Sequence, residues 1–278
     1  MGSQWPLSFA SIRLILLFQL SSLLVREFLR LQLQQSGVPA DRADHLSAIA
    51  GFVTLGIMLT PLLAPACTSL RELFRLPDEW PRVIIVAFLS GLLLRAASWF
   101  IAVGTVFLGI HGGPDSVRGG AVFWWQCPSW TYLVLSITVL AIATPLVEET
   151  ISRGLILGGL LAKRVRGAVP LSAALFAAFH APHNLVIAFL FGTTTARMMM
   201  RDKRLLGPLV AHATFNGLTV FDWDCLKGTW EPRSTSLRTG IACLLVAATL
   251  WAVTMRLSRT GSTGSGDRPG APDAATRR

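Results

Sequence analysis

Long apolar runs separated by short polar segments constrain the fold of this 278-residue chain most strongly. A helix needs about 20 apolar residues to cross the hydrocarbon core of a bilayer, and its backbone polar groups must be satisfied within the protein. The sequence therefore predicts an all-α, polytopic integral membrane bundle of about eight transmembrane helices, with its functional site buried within the bundle. The predicted spans are 8–25, 46–69, 83–109, 131–162, 168–182, 184–200, 205–221 and 238–257.

The charge content agrees with a membrane protein. Only 14% of the residues are charged, whereas a typical soluble domain has about 25%. This excludes a disordered chain, a nucleic-acid-binding arm and most soluble enzymes. The net charge of +10 is spread between apolar runs rather than gathered on one face. We therefore expect no nucleic-acid partner and expect the lipid bilayer to surround the chain.

The distribution of basic residues predicts the orientation. Eight spans place both termini on one side of the membrane, and that side carries 15 Lys and Arg residues against seven on the other. Basic residues accumulate in cytoplasmic loops. The sequence therefore predicts a multi-pass protein with both termini in the cytoplasm, most simply in the plasma (inner) membrane.

Composition along the chain predicts four segments. Residues 1–130 form an N-terminal transmembrane region of about three spans, and residues 131–222 form a core that holds the candidate site. Residues 223–257 are a loop and the last span, and residues 258–278 are a disordered cytoplasmic tail rich in Ser, Thr, Gly, Pro and Arg. Within the first segment, residues 26–46 alternate charged and apolar side chains, which favours an interfacial or solvated loop.

The four cysteines show no CxxC spacing. Cys127 and Cys225 fall in loops on the same predicted side, so a disulfide between them is one interpretation. We favour the other, in which all four cysteines are unlinked thiols.

The first polar cluster inside an apolar run contains Glu148, Glu149 and Arg153. Each ionisable group within a membrane costs at least about 2.5–3.5 kcal/mol, so such groups are functional candidates by default. Glu149 and Arg153 are four residues apart and can pair on one helix face. Glu148 lies about 100° around the helix and lacks that partner, which suits a general acid or base. The alternative is a structural ion pair beside a glutamate at the water boundary.

Two further clusters follow on later apolar helices. His180 comes four residues after Phe176 and just before a helix-breaking proline, and His212 comes four residues before Asn216. Two polar side chains on one face of an apolar helix are expected to point into the bundle. The alternative for these residues is interhelical hydrogen bonding that stabilises packing without chemistry.

The three clusters, in this order, resemble the CAAX-protease and bacteriocin-processing family of glutamic-type intramembrane proteases. The family pattern is EExxxR, then FxxxH, then HxxxN or HxxxD, and the chain has Glu148-Glu149-x-x-x-Arg153, Phe176-x-x-x-His180 and His212-x-x-x-Asn216. The resemblance covers residues 131–222. It implies an endopeptidase that hydrolyses a peptide bond of a membrane-associated protein or peptide.

The resemblance also implies roles for the individual residues. Glu148 and His180 would hold and activate a water molecule, and His212 and Asn216 would stabilise the oxyanion of the tetrahedral intermediate. Glu149, Arg153 and Phe176 would support the site, the last as part of the pocket wall. No cofactor is required on this interpretation.

An older interpretation of the family is zinc-dependent. Glu148, His180 and His212 would then supply three ligands and leave one position open for water. No HExxH spacing is present, so we favour the metal-free route.

Two other functions compete with proteolysis. A non-proteolytic membrane scaffold or bacteriocin-immunity-type protein would use the same fold, but it would tolerate loss of a core motif residue, and none is lost. A proton-coupled carrier would also place Glu and His side chains in the membrane. Carriers of that kind often contain inverted repeats with matching broken helices, and the sequence shows no repeat.

Overall fold

The computed structural model describes residues 12–63, 67–107, 130–220 and 237–260, and these residues are helical apart from short connections. The N-terminal part contains α1 (Ile12–Gln35), α2 (Ala40–Leu63), α3 (Cys67–Phe74) and α4 (Trp80–Phe107). The remainder contains α5 (130–162), α6 (Ala168–Ala178), α7 (Leu185–Asp202), α8 (Leu206–Val220) and α9 (Leu237–Thr260). The prediction of an all-α protein is confirmed.

Three helices among the described residues are long and apolar enough to cross a membrane. They are Arg42–Pro61 in α2, Trp80–Ser98 in α4 and Leu133–Ala162 in α5. The predicted count of eight spans is therefore not confirmed. One reason is length, since the apolar helix Ala168–Ala178 is shorter than a span.

The predicted loop at 26–46 is wrong. Helix α1 continues to Gln35, α2 begins at Ala40, and only four residues connect them, with Gly37 in the left-handed region at φ +81°. The charged residues that suggested a loop pair along the helix surface, since Arg30 lies 2.8 Å from Glu27 at i, i+3 spacing. Helix α1 consequently carries its charged face alongside α2.

The outer surface of the described helices is apolar. Large hydrophobic side chains are more than half exposed on several helices: Leu24, Phe28, Ile57, Leu245 and Trp251. The interior, in contrast, contains fully buried charged residues, among them Glu149 and Arg153. Apolar groups outside and ionised groups inside are the arrangement expected of a protein surrounded by lipid.

Close helix crossings hold the core in place. Helix α4 packs against α8 and α9, and α6 packs against α7. A Cβ atom added to Gly91 of α4 would lie 2.6 Å from the carbonyl oxygen of Ala211, so only glycine permits this crossing. The crossing fixes the backbone of α8 at Ala211, the residue that precedes His212.

The short predicted spans 168–182 and 184–200 form a broken helical hairpin. Helices α6 and α7 pack side by side and are joined through the 3₁₀ turn Pro182–Asn184. At their crossing, a Cβ atom on Gly192 would lie 3.0 Å from the Cα atom of Ala173. The hairpin therefore brings the Phe176–His180 cluster and the middle of α7 to the same part of the bundle.

Some predictions fall on residues outside the described ranges. Cys127 and Cys225, and with them the question of a disulfide, lie there, as do residues 261–278 of the predicted tail. Helix α9 ends at Thr260, so the first three residues of the segment predicted as disordered are helical.

Candidate active site

Helix α5 carries the two glutamates between two π-helical segments. Residues Ile137–Ala143 and Thr150–Leu157 are π-helical, and the α-helical turn Thr144–Glu149 lies between them. Such π-helical turns occur frequently at functional sites because they change the direction in which side chains point. The side chain of Glu149 is fully buried here, whereas that of Glu148 is 28% exposed.

Glu149 and Arg153 form the ion pair that their spacing predicts. Arg153 Nε lies 3.1 Å from Glu149 Oε2, and both side chains have no exposed surface. A buried pair of this kind needs good geometry and further hydrogen bonds to offset the loss of hydration. Glu149 Oε2 has this ion contact but no hydrogen bond among the described residues, whereas Oε1 contacts α8.

His212 of α8 binds the other oxygen of Glu149. Its Nδ1 atom lies 2.8 Å from Glu149 Oε1, and the imidazole is almost completely buried. A carboxylate accepts hydrogen bonds, so Nδ1 carries the proton and donates it. Glu149 thus connects Arg153 on its own helix with His212 on another, and it holds the imidazole in one orientation.

Thr195 of α7 completes this buried network, and sequence reasoning missed it. Arg153 Nε lies 2.8 Å from Thr195 Oγ1, and the hydroxyl itself donates to the carbonyl oxygen of Phe191 at 3.0 Å. The available signal was Thr195 within an otherwise apolar stretch of α7. Serine and threonine are common in apolar helices, however, so that signal alone did not select it.

Two aromatic rings pack against the charged residues of the site. The guanidinium carbon of Arg153 lies 4.6 Å from the ring centroid of Phe176, which is within cation–π range. The same ring lies 4.6 Å from the ring of His180, and Phe191 lies 4.7 Å from the ring of His212. Phe176 therefore contacts both the arginine that pairs with Glu149 and the imidazole that faces Glu148, as expected for a wall of the site.

Glu148 faces the two histidines. Its Oε2 atom lies 4.0 Å from His180 Nε2 and 3.9 Å from His212 Nε2, too far for direct hydrogen bonds. The atom is buried and has no hydrogen-bond partner among the described residues. Glu149 Oε2 also lacks a hydrogen bond but lies 3.1 Å from Arg153 Nε. Glu148 is therefore the carboxylate of the site whose Oε2 atom has neither a hydrogen bond nor a close guanidinium among the described residues.

The hydrogen bonds of the two imidazoles determine what they present to Glu148. His180 Nδ1 lies 2.9 Å from the carbonyl oxygen of Phe176 and must donate to it. His212 Nδ1 donates to Glu149 in the same way. In the neutral form, both rings therefore present an unprotonated Nε2 atom to the Glu148 carboxylate. Three acceptors that face one another form a site for a proton, for the hydrogens of water or for a cation.

Glu148 and His180 also line a cavity of about 200 Å³. Its walls come from α5 and α6 on one side and from α1 and α2 on the other. Arg26 and Gln19 of α1 belong to this wall, although the sequence analysis placed Arg26 in a loop. The carboxylate with the unused oxygen is thus beside a space that the N-terminal helices help to enclose.

Asn216 shares its helix face with His212, as predicted, but its amide has a different partner. Its Nδ2 atom donates to the carbonyl oxygen of Leu140 at 2.9 Å, within the first π-helical segment of α5. One amide N–H thus fixes α8 to α5, and the other N–H remains for another acceptor.

The three residues proposed as zinc ligands are too far apart for a formed zinc site. Ligand atoms at 2.0–2.1 Å from a tetrahedral zinc lie about 3.3 Å from one another. Glu148 Oε2 is 3.9–4.0 Å from the two imidazole Nε2 atoms. No group of three or more His, Cys, Asp or Glu residues in the described ranges is arranged to hold a metal ion.

The site thus has the features of an acid–base site inside an apolar helical bundle. In the comparison with family models, residues 129–218 match the model of the type II CAAX prenyl endopeptidase Rce1-like family. Over these residues the chain is similar to a CAAX protease, which supports the resemblance drawn from the three motifs. Comparison with curated proteins and with solved structures gave no match. The matched family is a protease family, so hydrolase activity is supported at the level of the family.

Proposed function

We propose that the protein is an intramembrane endopeptidase in which Glu148 activates a water molecule against a peptide bond of a membrane-associated substrate. The observation that carries the proposal is the unused Oε2 atom of Glu148, placed between the Nε2 atoms of His180 and His212. Catalytic hydrogen bonds are often long before substrate binds and shorten in the reacting complex. The family match to prenyl endopeptidases supports a prenylated CAAX-type substrate.

The proposed reaction follows from this arrangement. Glu148, assisted by His180, accepts a proton from water while the water oxygen bonds to the carbonyl carbon of the peptide. The carbonyl oxygen becomes an oxyanion. The C–N bond then breaks, and the proton held by Glu148 passes to the departing amine, so that an acid and an amine are the products.

His212 is proposed to stabilise the oxyanion. With Nδ1 donating to Glu149, the imidazole donates from Nε2 to the oxyanion in its doubly protonated form. The free amide N–H of Asn216 is the second proposed donor. Glu149, Arg153 and Phe176 hold these groups in place. Both termini are proposed to lie in the cytoplasm, with the protein in the plasma membrane.

Replacement of Glu148 tests the proposal. The full-length protein in lipid vesicles is incubated with a farnesylated CAAX peptide whose cleavage restores fluorescence. The Glu148→Gln variant keeps the shape of the side chain but removes the base, so we expect cleavage to fall by about 10²- to 10⁴-fold. Glu79→Gln, an exposed glutamate paired with Arg82 at 2.9 Å, serves as the matched control. Wild-type rates in Glu148→Gln would contradict the proposed mechanism.

Chelation tests the metal-free route. We expect full cleavage after treatment with a zinc chelator and removal of the chelator, together with less than one zinc per ten protein molecules by elemental analysis. Activity that is lost on chelation and restored by zinc alone would establish the zinc interpretation instead.

A further inference from the structure

The cavity beside Glu148 has a second wall that belongs to the N-terminal helices. Gln19, Ser22 and Arg26 of α1 line it, opposite Glu148 and His180 of the family domain. These α1 residues lie outside the matched range 129–218. Whatever substrate group enters the cavity therefore also meets side chains that lie outside the matched range.

Arg26 is the cation of this wall, and one of its N–H donors is unused. Its Nε atom is buried and has no hydrogen-bond partner among the described residues. The neighbouring Arg30 is paired with Glu27 at 2.8 Å and approaches Asp44 at 3.9 Å. No carboxylate in the described ranges forms an ion pair this close with Arg26, although Asp44 attracts both arginines electrostatically. Arg26 as a whole is partly exposed, and its buried Nε–H group is a donor that an anion entering the cavity can use.

The stem of Arg26 is held against α2. A Cβ atom on Gly51 would lie 3.3 Å from Arg26 Cβ and 3.9 Å from its Cδ, so the absence of a side chain at Gly51 leaves room for the arginine. The stem of Arg26 therefore passes over Gly51, and the residue lines the cavity.

Gln19 supplies a complementary acceptor. Its Oε1 atom is buried without a hydrogen-bond partner among the described residues, and it lines the same cavity. A guanidinium recognises a carboxylate through two parallel N–H donors. An amide oxygen accepts from a peptide N–H group. A carboxylate adjacent to a peptide N–H is the chemical group that satisfies both.

We propose that Arg26 binds a carboxylate of the peptide substrate in the cavity that Glu148 lines, and that α1 thereby selects the substrate. The inference rests on the proposed function, since it places the carboxylate beside the scissile bond. A volume of about 200 Å³ is below the roughly 300–1,000 Å³ of drug-sized ligand pockets. It suits the end of a peptide or one acidic side chain.

Three farnesylated peptides of otherwise identical sequence test the proposal. The first ends in a free carboxylate, the second in an amide, and the third in an amide after a C-terminal glutamate. We expect wild-type kcat/KM to be about tenfold to a hundredfold higher for the first peptide than for the second. If kcat/KM for the third peptide returns to that of the first, a side-chain carboxylate is an accepted ligand. If it stays as low as for the second peptide, Arg26 requires the terminal carboxylate.

Variants of α1 locate the effect. In Arg26→Gln, the preference for the carboxylate peptide over the amide peptide should fall to within about twofold, mainly through KM, and Arg26→Lys should recover part of it. Arg30→Gln, four residues further along the same helix, should keep the wild-type preference. Unfolding midpoints of all three variants show whether α1 is still folded. An unchanged preference in folded Arg26→Gln, or no preference in the wild type, would overturn the proposal.

Binding separates this inference from the proposed function. Fluorescently labelled forms of the first two peptides are titrated onto Glu148→Gln protein, which tests recognition without cleavage. Tighter binding of the carboxylate peptide than of the amide peptide, lost when Arg26 is also replaced, supports the carboxylate site at Arg26 even if the wild type cleaves neither peptide. Equal binding of both peptides overturns the carboxylate site even if the wild type cleaves them.

Discussion

Glu148 and Glu149 are adjacent in sequence, but they belong to regions of opposite character. Glu149 is fully buried and contacts Arg153 and His212 at 3.1 and 2.8 Å. Glu148 is 28% exposed, lines a cavity, and approaches two imidazoles no closer than 3.9 Å. We call the first region the buried network and the second the open site.

The comparison indicates how one helix supports both rigidity and reactivity. A carboxylate whose oxygens are both occupied by fixed partners holds neighbouring helices together, and its own proton affinity is of little use to a substrate. A carboxylate with an unused oxygen beside a cavity is available for chemistry. The buried network is therefore expected to determine stability, and the open site to determine activity.

Loss of Arg153 should have the largest effect on stability. Arg153→Leu leaves Glu149 buried without its cation, and removal of one partner of a buried pair costs about 3–5 kcal/mol. The free energy of unfolding in mixed detergent micelles measures this cost. The double variant Glu149→Leu, Arg153→Leu should lose less than the single variant, because no charge is left unpaired. A single-variant loss below about 1 kcal/mol would remove the distinction between the two regions.

Loss of the Thr195 hydroxyl should have an intermediate effect. Thr195→Val keeps the volume but deprives Arg153 of its acceptor at 2.8 Å, and an unsatisfied buried donor costs about 1–3 kcal/mol. The control is Thr194→Val, since Thr194 donates only to the Leu190 carbonyl within its own helix and on the outer face. Equal losses in the two variants would show that Thr195 acts through its helix rather than through Arg153.

Loss of the Glu148 charge should have the smallest effect on stability. Glu148→Gln removes no ion pair shorter than 3.9 Å, so we expect the free energy of unfolding to change by less than about 1 kcal/mol. The same variant should lose cleavage. An unfolding free energy that falls by as much as in Arg153→Leu would place Glu148 in the buried network.

The local part of the site could be predicted from the sequence. Glu149 and Arg153 pair because side chains four residues apart on a helix are neighbours. His212 and Asn216 share a face of α8 for the same reason, and both contact α5. Helix periodicity and the cost of charge in an apolar environment were sufficient for these predictions.

The charged face of α1 could not be interpreted in the same way. Alternating charged and apolar residues at 26–46 are typical of a loop, and they are also compatible with a helix whose charges pair at i, i+3. Packing against α2 decided between them, since Gly51 accommodates the stem of Arg26. Within the described ranges, fewer helices are long and apolar enough to span a membrane than the eight predicted. The reason is related, because apolar content alone does not fix where a helix ends.

The sequence by itself determined that the chain is helical, that it suits a membrane, and that three polar clusters recur along the core. It also determined that Glu149, and not Glu148, has a cation four residues away, in Arg153. Only the tertiary structure decided that Glu149 binds a histidine 63 residues distant, that Thr195 supports Arg153, and that Arg26 reaches the cavity beside Glu148. The physical reason is that periodicity describes one helix at a time, whereas these contacts arise from the positions at which different helices cross.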